Sequence, residues 1–147
     1  MSFVNETNDT IESLIVSAYR LTRVATQSTG DQTSPAVWRT LSILTQDGPM
    51  RLGQLATASR VAQPTMTKIV QNLASDDWVL RIADVEDARS WLIDISPKGR
   101  QKLADWRVRV TQAAEPLFDD LTAGEWSTLR DAAAILQSRL VSQAVAA

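Results

Sequence analysis

The spacing of apolar residues changes near the middle of the chain, and this change constrains the fold more than any other feature. Up to about Ser75 the apolar residues recur every three or four positions, which is the period of an amphipathic helix. Residues 78–83 and 90–95 instead alternate and are rich in β-branched and aromatic side chains, as strands are. Polar and charged residues 84–89 separate them. The sequence therefore predicts one β-hairpin within a helical chain.

Four amphipathic helices are predicted before the hairpin, over residues 9–26, 35–46, 51–58 and 64–75. Asp9 and Glu12 have the spacing of a capping box and predict the start of the first helix. Ser34 and Pro35 form an N-cap with proline at the first helical position, and Gly48 favours a left-handed end to the same helix. The short connection between the last two helices is typical of a helix-turn-helix.

Two long helices are predicted after the hairpin. Ser96 and Pro97 repeat the cap-and-proline signal, and apolar residues continue at spacings of three and four as far as Leu121. Thr122 and Glu125 form a second capping box, which opens the last helix. This last helix is too apolar to be a free tail, and the spacing before it is heptad-like. We therefore predict that the helices at the chain ends pair with a second copy.

The missing residue types exclude most catalytic chemistry. The chain of 147 residues contains no Cys and no His, which removes thiolate nucleophiles, imidazole bases and zinc–thiolate sites. It has no phosphate-binding glycine loop, and the six-residue hairpin tip offers too few ligands for Ca²⁺. We predict that the protein is not an enzyme and holds no metal or cofactor.

The distribution of charge predicts the kind of partner, and the polar N-terminal residues predict the cellular location. The net charge is −2, yet residues 51–102 carry eight Lys and Arg against six Asp and Glu, a balance of +2. A mildly basic centre between acidic ends is compatible with one dedicated anionic partner. The polar, acidic start and the lack of apolar stretches near the ~20 residues of a membrane span predict a cytoplasmic protein without a membrane partner.

Residues 51–95 follow the order of a winged helix-turn-helix, in which two short helices precede a two-stranded hairpin. On the second helix the residues expected to face the core are Met66, Ile69, Val70 and Leu73. This leaves hydroxyls, amides and one cation pointing outward. A DNA major groove about 12 Å wide admits such a helix, since hydroxyls and amides read base edges while Lys meets phosphates. The alternative is a winged helix that binds protein and not DNA, because fold alone does not decide function.

Over nearly its whole length the chain resembles the MarR family of bacterial transcriptional regulators. The resemblance is carried by the segment LATASRVAQPTMTKIVQNLASDDWVLR, by Asp87-Ala88-Arg89 at the hairpin tip, and by the ISPKG opening of the next helix. It implies that Arg89 enters the DNA minor groove and that Asp87 orients it. It also implies a homodimer formed by the first, fifth and sixth helices, often with a small-molecule effector bound between the dimerisation lobe and the DNA-binding lobe.

Three positions depart from the family pattern. Arg60 stands where a turn glycine is usual, Ala62 replaces a hydroxyl cap, and Asp77 replaces the glycine before the wing. A left-handed backbone at Arg60 would cost about 1 kcal/mol relative to glycine, and its side chain would add a phosphate contact.

The expected fold is mainly α with a small β-hairpin wing, and it joins a winged helix-turn-helix to a helical dimerisation lobe. The DNA-binding lobe covers residues 34–100, and the dimerisation lobe covers residues 9–30 and 97–147. The protein is expected to bind a pseudo-palindromic duplex as a homodimer and to act as a ligand-responsive repressor. The predicted DNA-binding residues are Arg60, Gln63, Pro64, Thr65, Thr67, Lys68, Gln71, Arg81, Asp87, Arg89 and Ser90.

A thiol switch and a histidine pH switch are both excluded, so control is expected through a ligand, a partner or the expression level. Of these, a small aromatic or anionic effector is the expected form. The predicted effector-binding residues are Tyr19, Arg20, Arg23, Trp38 and Arg39. As the alternative, these arginines are solvated charges on helix faces. The five Trp residues are expected to lie mostly in the core.

Overall fold

Most of the described residues lie in helices, and three short strands among them form one antiparallel sheet. The structure is a computed structural model that describes residues 2–144, with side chains described from residue 4 to residue 141. The elements are α1 (Ser2–Ser28), α2 (Pro35–Asp47), β1 (Met50–Arg51), α3 (Leu52–Ser59), α4 (Gln63–Ser75), β2 (Val79–Ala83), β3 (Trp91–Ile95), α5 (Pro97–Ala114) and α6 (Ala123–Ala144). The expected class, mainly α with a hairpin wing, is confirmed.

The first helix begins earlier than predicted. α1 starts at Ser2, so Asp9 and Glu12 lie inside the helix and the capping box expected at Asp9 is wrong. The Thr10 hydroxyl donates to the Glu6 carbonyl at 2.8 Å, a bond to the preceding helical turn. No proline or glycine occurs among residues 2–8, so nothing in the sequence stops the helix from extending past Asp9.

The fifth helix ends earlier than predicted. The apolar period continues to Leu121, but α5 stops at Ala114 and a 3₁₀ turn follows over Glu115–Phe118. Pro116 lies in this turn. Proline lacks the N–H that an α-helix needs, and its ring clashes with the carbonyl of the fourth residue before it. The expectation of one continuous helix to Leu121 is therefore wrong.

The hairpin forms as predicted, with both strands one residue shorter at their first position. β3 is the central strand, because it pairs with β2 on one side and with β1 on the other. β1 has only two residues and no sequence signal, and it places Met50 opposite Ile93 and Arg51 opposite Leu92. The start of α3 is thereby attached directly to the wing.

The helix-turn-helix and the sheet share one apolar core. Its buried residues include Leu41, Leu44, Leu55, Met66, Val70, Leu73, Ile93 and Ile95. Trp38 is buried and stacks on Trp78, with ring centroids 5.8 Å apart. Trp91 and Trp126 are instead exposed, so the expected core placement is wrong for these two.

Contacts divide the described chain into two compact units, residues 2–32 with 106–121, and residues 33–105 with 122–144. The lobe boundaries given above remain predictions. Within residues 2–144, none of the helices combines the length and the apolar character needed to cross a membrane.

Candidate nucleic-acid interface

The polar face of α4 forms as the sequence predicts. Met66, Val70 and Leu73 are buried, which fixes the rotation of the helix about its axis. The predicted contact residues Gln63, Pro64, Thr65, Lys68 and Gln71 are all exposed on this helix. Thr67 is half-buried, and its hydroxyl donates to the Gln63 carbonyl at 3.0 Å, so its oxygen remains an acceptor. α4 therefore presents amides, hydroxyls and one cation together.

The turn before α4 contains a residue in the left-handed conformation, at the position where the sequence departs from the usual glycine. Arg60 has φ 56° and ψ 44°, and its N–H donates to the Thr57 carbonyl at 3.1 Å. The Ala62 side chain makes no cap for α4, so it leaves the N–H groups of the first turn without a side-chain acceptor from that position. Asp77, before the wing, is left-handed too, with φ 61°. The arginine side chain is exposed beside the start of α4.

Replacing Arg60 by glycine should raise the free energy of unfolding by about 1 kcal/mol, because glycine adopts the left-handed conformation without strain. The same substitution should weaken DNA binding, since it removes a cation from the turn. Urea unfolding and a binding titration measure the two effects. Asp77→Gly is the matched control, because it relieves a left-handed residue without removing a cation. A loss of stability in Arg60→Gly would contradict the strain argument.

The root of the wing is built around Ser96. Its N–H donates to the Trp78 carbonyl at 2.9 Å, its hydroxyl donates to the Asp77 carbonyl, and the same oxygen accepts from the Gly99 N–H at 2.9 Å. A Cβ atom at Gly99 would lie 2.1 Å from the Trp78 carbonyl oxygen. The predicted cap of α5 is confirmed, and the structure adds that Gly99 permits a close approach of two backbones.

Asp87 organises the tip of the wing. Its Oδ1 accepts from the Arg89 backbone N–H and its Oδ2 accepts from the Ser90 hydroxyl, both at 3.0 Å. These bonds hold the pKa of Asp87 below its ordinary value, with the Arg89 N–H contributing most. The carboxylate thus contacts the backbone of Arg89, and the Arg89 side chain is exposed. Asp87 thus holds the backbone at Arg89, and the role of Arg89 in DNA binding remains a prediction.

Arg51 and Asp84 form a contact that the sequence did not indicate. Arg51 Nε and Nη2 donate to Asp84 Oδ2 at 2.9 and 2.7 Å, and the Glu86 N–H donates to Oδ1 at 3.0 Å. Asp84 is only 7% exposed. The Arg51 hydrogen bonds, with the Glu86 N–H second, lower the pKa of Asp84. The pair attaches the wing to the start of α3. It spans 33 positions in sequence, so no local pattern predicts it.

Both wing carboxyls should titrate below the ordinary value of 3.8, because hydrogen bonds stabilise the charged form in the folded chain. A lowered folded-state pKa stabilises the fold above the ordinary pKa, and that contribution is lost as pH falls through the lowered pKa. Side-chain carboxyl NMR resonances of Asp84 and Asp87 measure the midpoints. Arg51→Gln should raise the midpoint of Asp84 and change that of Asp87 much less. A parent midpoint at or above 3.8 for Asp84 would refute the assignment.

A groove lies between α4 and the wing. Its volume is about 630 Å³, and it is lined by Arg51, Leu52, Gly53, Thr67, Val70, Arg81, Ser90, Trp91 and Ile93. Three of the predicted DNA-binding residues, Thr67, Arg81 and Ser90, therefore border one space. Trp91 borders the same space and was missed, because its alternation with Ile93 and Ile95 suggests a core position.

The residues predicted for effector binding have varied surroundings. Trp38 is packed on Trp78 in the core, and Arg39 Nη1 donates to the Ser59 carbonyl at 2.8 Å. Tyr19, Arg20 and Arg23 are exposed on α1. Trp38 and Arg39 thus already have contacts within the helix-turn-helix unit. The effector site remains a prediction.

Comparisons with known proteins agree with this geometry. The sequence model of the MarR family matches residues 33–91. Over 97 residues the chain is 34% identical to an HTH-type transcriptional regulator of Mycobacterium bovis, a match that covers 65% of this chain and 67% of that protein. The chain spans 63% to 67% of the length of the curated relatives it matches.

Solved structures show the same fold. A transcriptional regulator from Thermotoga maritima is 23% identical, with a TM-score of 0.72 over 92% of this chain and 96% of that one. A mutant of MepR from S. aureus, bound to an oligodeoxyribonucleotide, is 18% identical, with a TM-score of 0.60 over 86% of this chain and 94% of that one.

Proposed function

Because this chain belongs to the MarR family of transcriptional regulators, which are DNA-binding proteins and not enzymes, we propose that it is a homodimeric repressor of a pseudo-palindromic DNA site. The observation that carries the proposal is the surface on which the polar face of α4 stands beside the wing. Thr67 of α4 and Ser90 of the wing line the same groove, and Arg89 is exposed next to it. The DNA-bound state of the MepR mutant supports the same use of this fold.

In the proposed complex α4 lies in the major groove and Arg89 enters the adjacent minor groove. Gln63, Thr65, Thr67 and Gln71 face base edges, while Arg60, Lys68 and Arg81 meet phosphates. Pro64 and Ser90 contact the duplex at the ends of these two elements. Asp87 acts through the Arg89 backbone N–H and positions the wing tip.

The proposed homodimer is supported by apolar side chains exposed on α1 and α6. On α1 they include Ile11, Leu14, Ile15 and Tyr19, and on α6 they include Leu129, Ile135, Leu136 and Leu140. Each helix exposes several large apolar side chains, and soluble monomers rarely leave large apolar patches in water. A second copy covers these faces, and its two-fold symmetry places two α4 helices about 34 Å apart, one turn of DNA.

Selection from random-sequence duplex DNA tests the proposed function. The parent protein should enrich sites with inverted half-sites, and footprinting should show both halves protected. Enrichment of one isolated half-site, or equal binding to every duplex at physiological salt, would refute the proposal. Failure to enrich any duplex would favour the alternative, a winged helix that binds protein.

The contact residues should separate by role when they are replaced by alanine. Arg89→Ala should weaken binding to the selected duplex about ten-fold, because it removes the minor-groove cation. Lys68→Ala should reduce the salt slope by about one unit, and Gln71→Ala should change base preference more than total affinity. Titrations at several salt concentrations measure all three variants. Parent-like affinity in Arg89→Ala would show that the wing assignment is wrong.

Control by a small aromatic or anionic effector completes the proposal. It is supported by the absence of Cys and His from the sequence, which leaves no thiol or imidazole switch. A ligand releases DNA only if it binds the free form more tightly than the bound form. Aromatic carboxylates titrated against the protein–DNA complex should therefore displace the duplex. A complex unmoved by all of them would indicate a constitutive repressor.

A further inference from the structure

We propose that the groove between α4 and the wing holds the sugar–phosphate strand that separates the major and minor grooves of the bound duplex. Trp91 packs on a deoxyribose of that strand, and Arg81 and Arg51 meet its flanking phosphates. This inference rests on the proposed function, because it requires α4 in one groove and the wing in the next. It assigns a DNA-contact role to Trp91 and Arg51.

Trp91 continues the apolar face of the sheet beyond the helices that cover it. Residues 91, 93 and 95 alternate along β3 and share one face. Ile93 and Ile95 are buried on this face, whereas Trp91 is 59% exposed. Its partner across the ladder is Ala83, a single methyl group. An indole that a partner covers buries a large apolar area, and Trp91 stands on the surface where α4 meets the wing.

The lining of the groove matches the chemistry of a nucleic-acid backbone. It carries two guanidinium groups, those of Arg51 and Arg81, and two hydroxyls, and its named lining residues include none that is acidic. Arg51 is paired with Asp84 through Nε and Nη2, which leaves other N–H donors of its guanidinium for a phosphate. Its side chain is 43% exposed, so these donors are accessible.

The geometry of a duplex makes this strand the natural occupant. In B-DNA each boundary between a major and a minor groove is one sugar–phosphate strand. A helix in the first groove and a hairpin in the second must therefore have that strand between them. In this protein the space between α4 and the wing is the groove of about 630 Å³ described above. Its apolar wall at Trp91 suits the C–H groups of deoxyribose, and its cations suit the phosphates on either side.

The first test measures affinity for a duplex that the parent protein selects from random-sequence DNA. Trp91→Ala should weaken binding on the order of ten-fold, the effect of losing one aromatic contact with nucleic acid. Leu80→Ala is the matched control, because Leu80 is also exposed in the sheet but lies on its opposite face. Leu80→Ala should bind as the parent does. Parent-like binding by Trp91→Ala, or equal losses in both variants, would overturn the inference.

The second test uses signals that do not depend on how Trp91→Ala folds. Trp91→Phe should keep the affinity and lose most of the Trp fluorescence change that the selected duplex causes in the parent. Hydroxyl-radical cleavage should show the parent protecting the sugars between the major- and minor-groove contacts. A fluorescence change that survives in Trp91→Phe, or sugars left unprotected there by the parent, would overturn the inference. If the parent selects no duplex, the proposed function fails instead.

Discussion

Replacing Gly99 by alanine is expected to lower the free energy of unfolding by about 3 kcal/mol and to abolish specific DNA binding. The added Cβ would meet the Trp78 carbonyl oxygen at 2.1 Å and an Ile95 side-chain carbon at 2.9 Å. The nearer atom belongs to the backbone and cannot move aside without displacing the root of the wing. The Ser96 bonds to Asp77, Trp78 and Gly99 would be lost with it. Urea unfolding followed by Trp fluorescence measures the change.

Gly124→Ala is the matched control for this prediction. At Gly124, in the first turn of α6, the nearest atom to an added Cβ is the Thr122 hydroxyl at 3.9 Å. Alanine there should be neutral or should stabilise the helix by up to about 1 kcal/mol. A Gly99→Ala protein as stable as Gly124→Ala would mean that the wing root can yield, and the proposed backbone contact would be wrong.

A single charge on the apolar face of α1 should separate the proposed homodimer into monomers. Ile15 is 65% exposed in one chain and is one of several large apolar residues on this helix. A glutamate at this position would be buried without a partner in the dimer, which is costly. Ile15→Glu should therefore sediment as a monomer at micromolar concentration. Its affinity for the two-half-site duplex should fall by about 10² to 10⁴, the gain that linking two binding modules provides.

Ser13→Glu adds the same charge to the same helix at a polar, exposed position and should remain a dimer with parent-like affinity. Monomeric Ile15→Glu that still binds the duplex as the parent does would show that dimerisation is not needed for recognition. An Ile15→Glu protein that stays dimeric would move the interface away from this face of α1.

Local signals in the sequence predicted local structure well. The Ser34 cap forms, with its hydroxyl accepting from the Ala36 N–H at 3.3 Å. The Thr122 and Glu125 capping box forms in both directions, at 2.8 and 3.2 Å. The hairpin strands lie within one residue of their predicted bounds. Each of these features depends on residues a few positions apart, and the sequence displays that spacing directly.

The failures have two physical causes. At Asp9 the capping pattern predicted a helix start, but α1 continues through it because no residue before it interrupts the helix. At Pro116 the apolar period predicted a continuous helix, but proline ends the α-helical hydrogen bonding there. At Arg51, Asp84 and Trp91 the cause is tertiary. The Arg51–Asp84 ion pair and the exposure of Trp91 depend on how elements distant in sequence pack together. The alternation of apolar residues along a strand shows which face a residue is on, but not whether other elements cover that residue.

The wing tip also offers a suitable position for a spectroscopic label. Val85 is 99% exposed and lies in sequence between Asp84 and Asp87. The carboxylates of both aspartates accept hydrogen bonds from neighbouring groups of the wing and of Arg51. A side chain at this position touches little of the fold, yet the backbone that carries it is fixed at both ends. The natural sequence has no cysteine, so Val85→Cys would supply the only thiol in each subunit. Spectroscopic labels attached there would report the distance between the two wings of the proposed homodimer, with and without DNA.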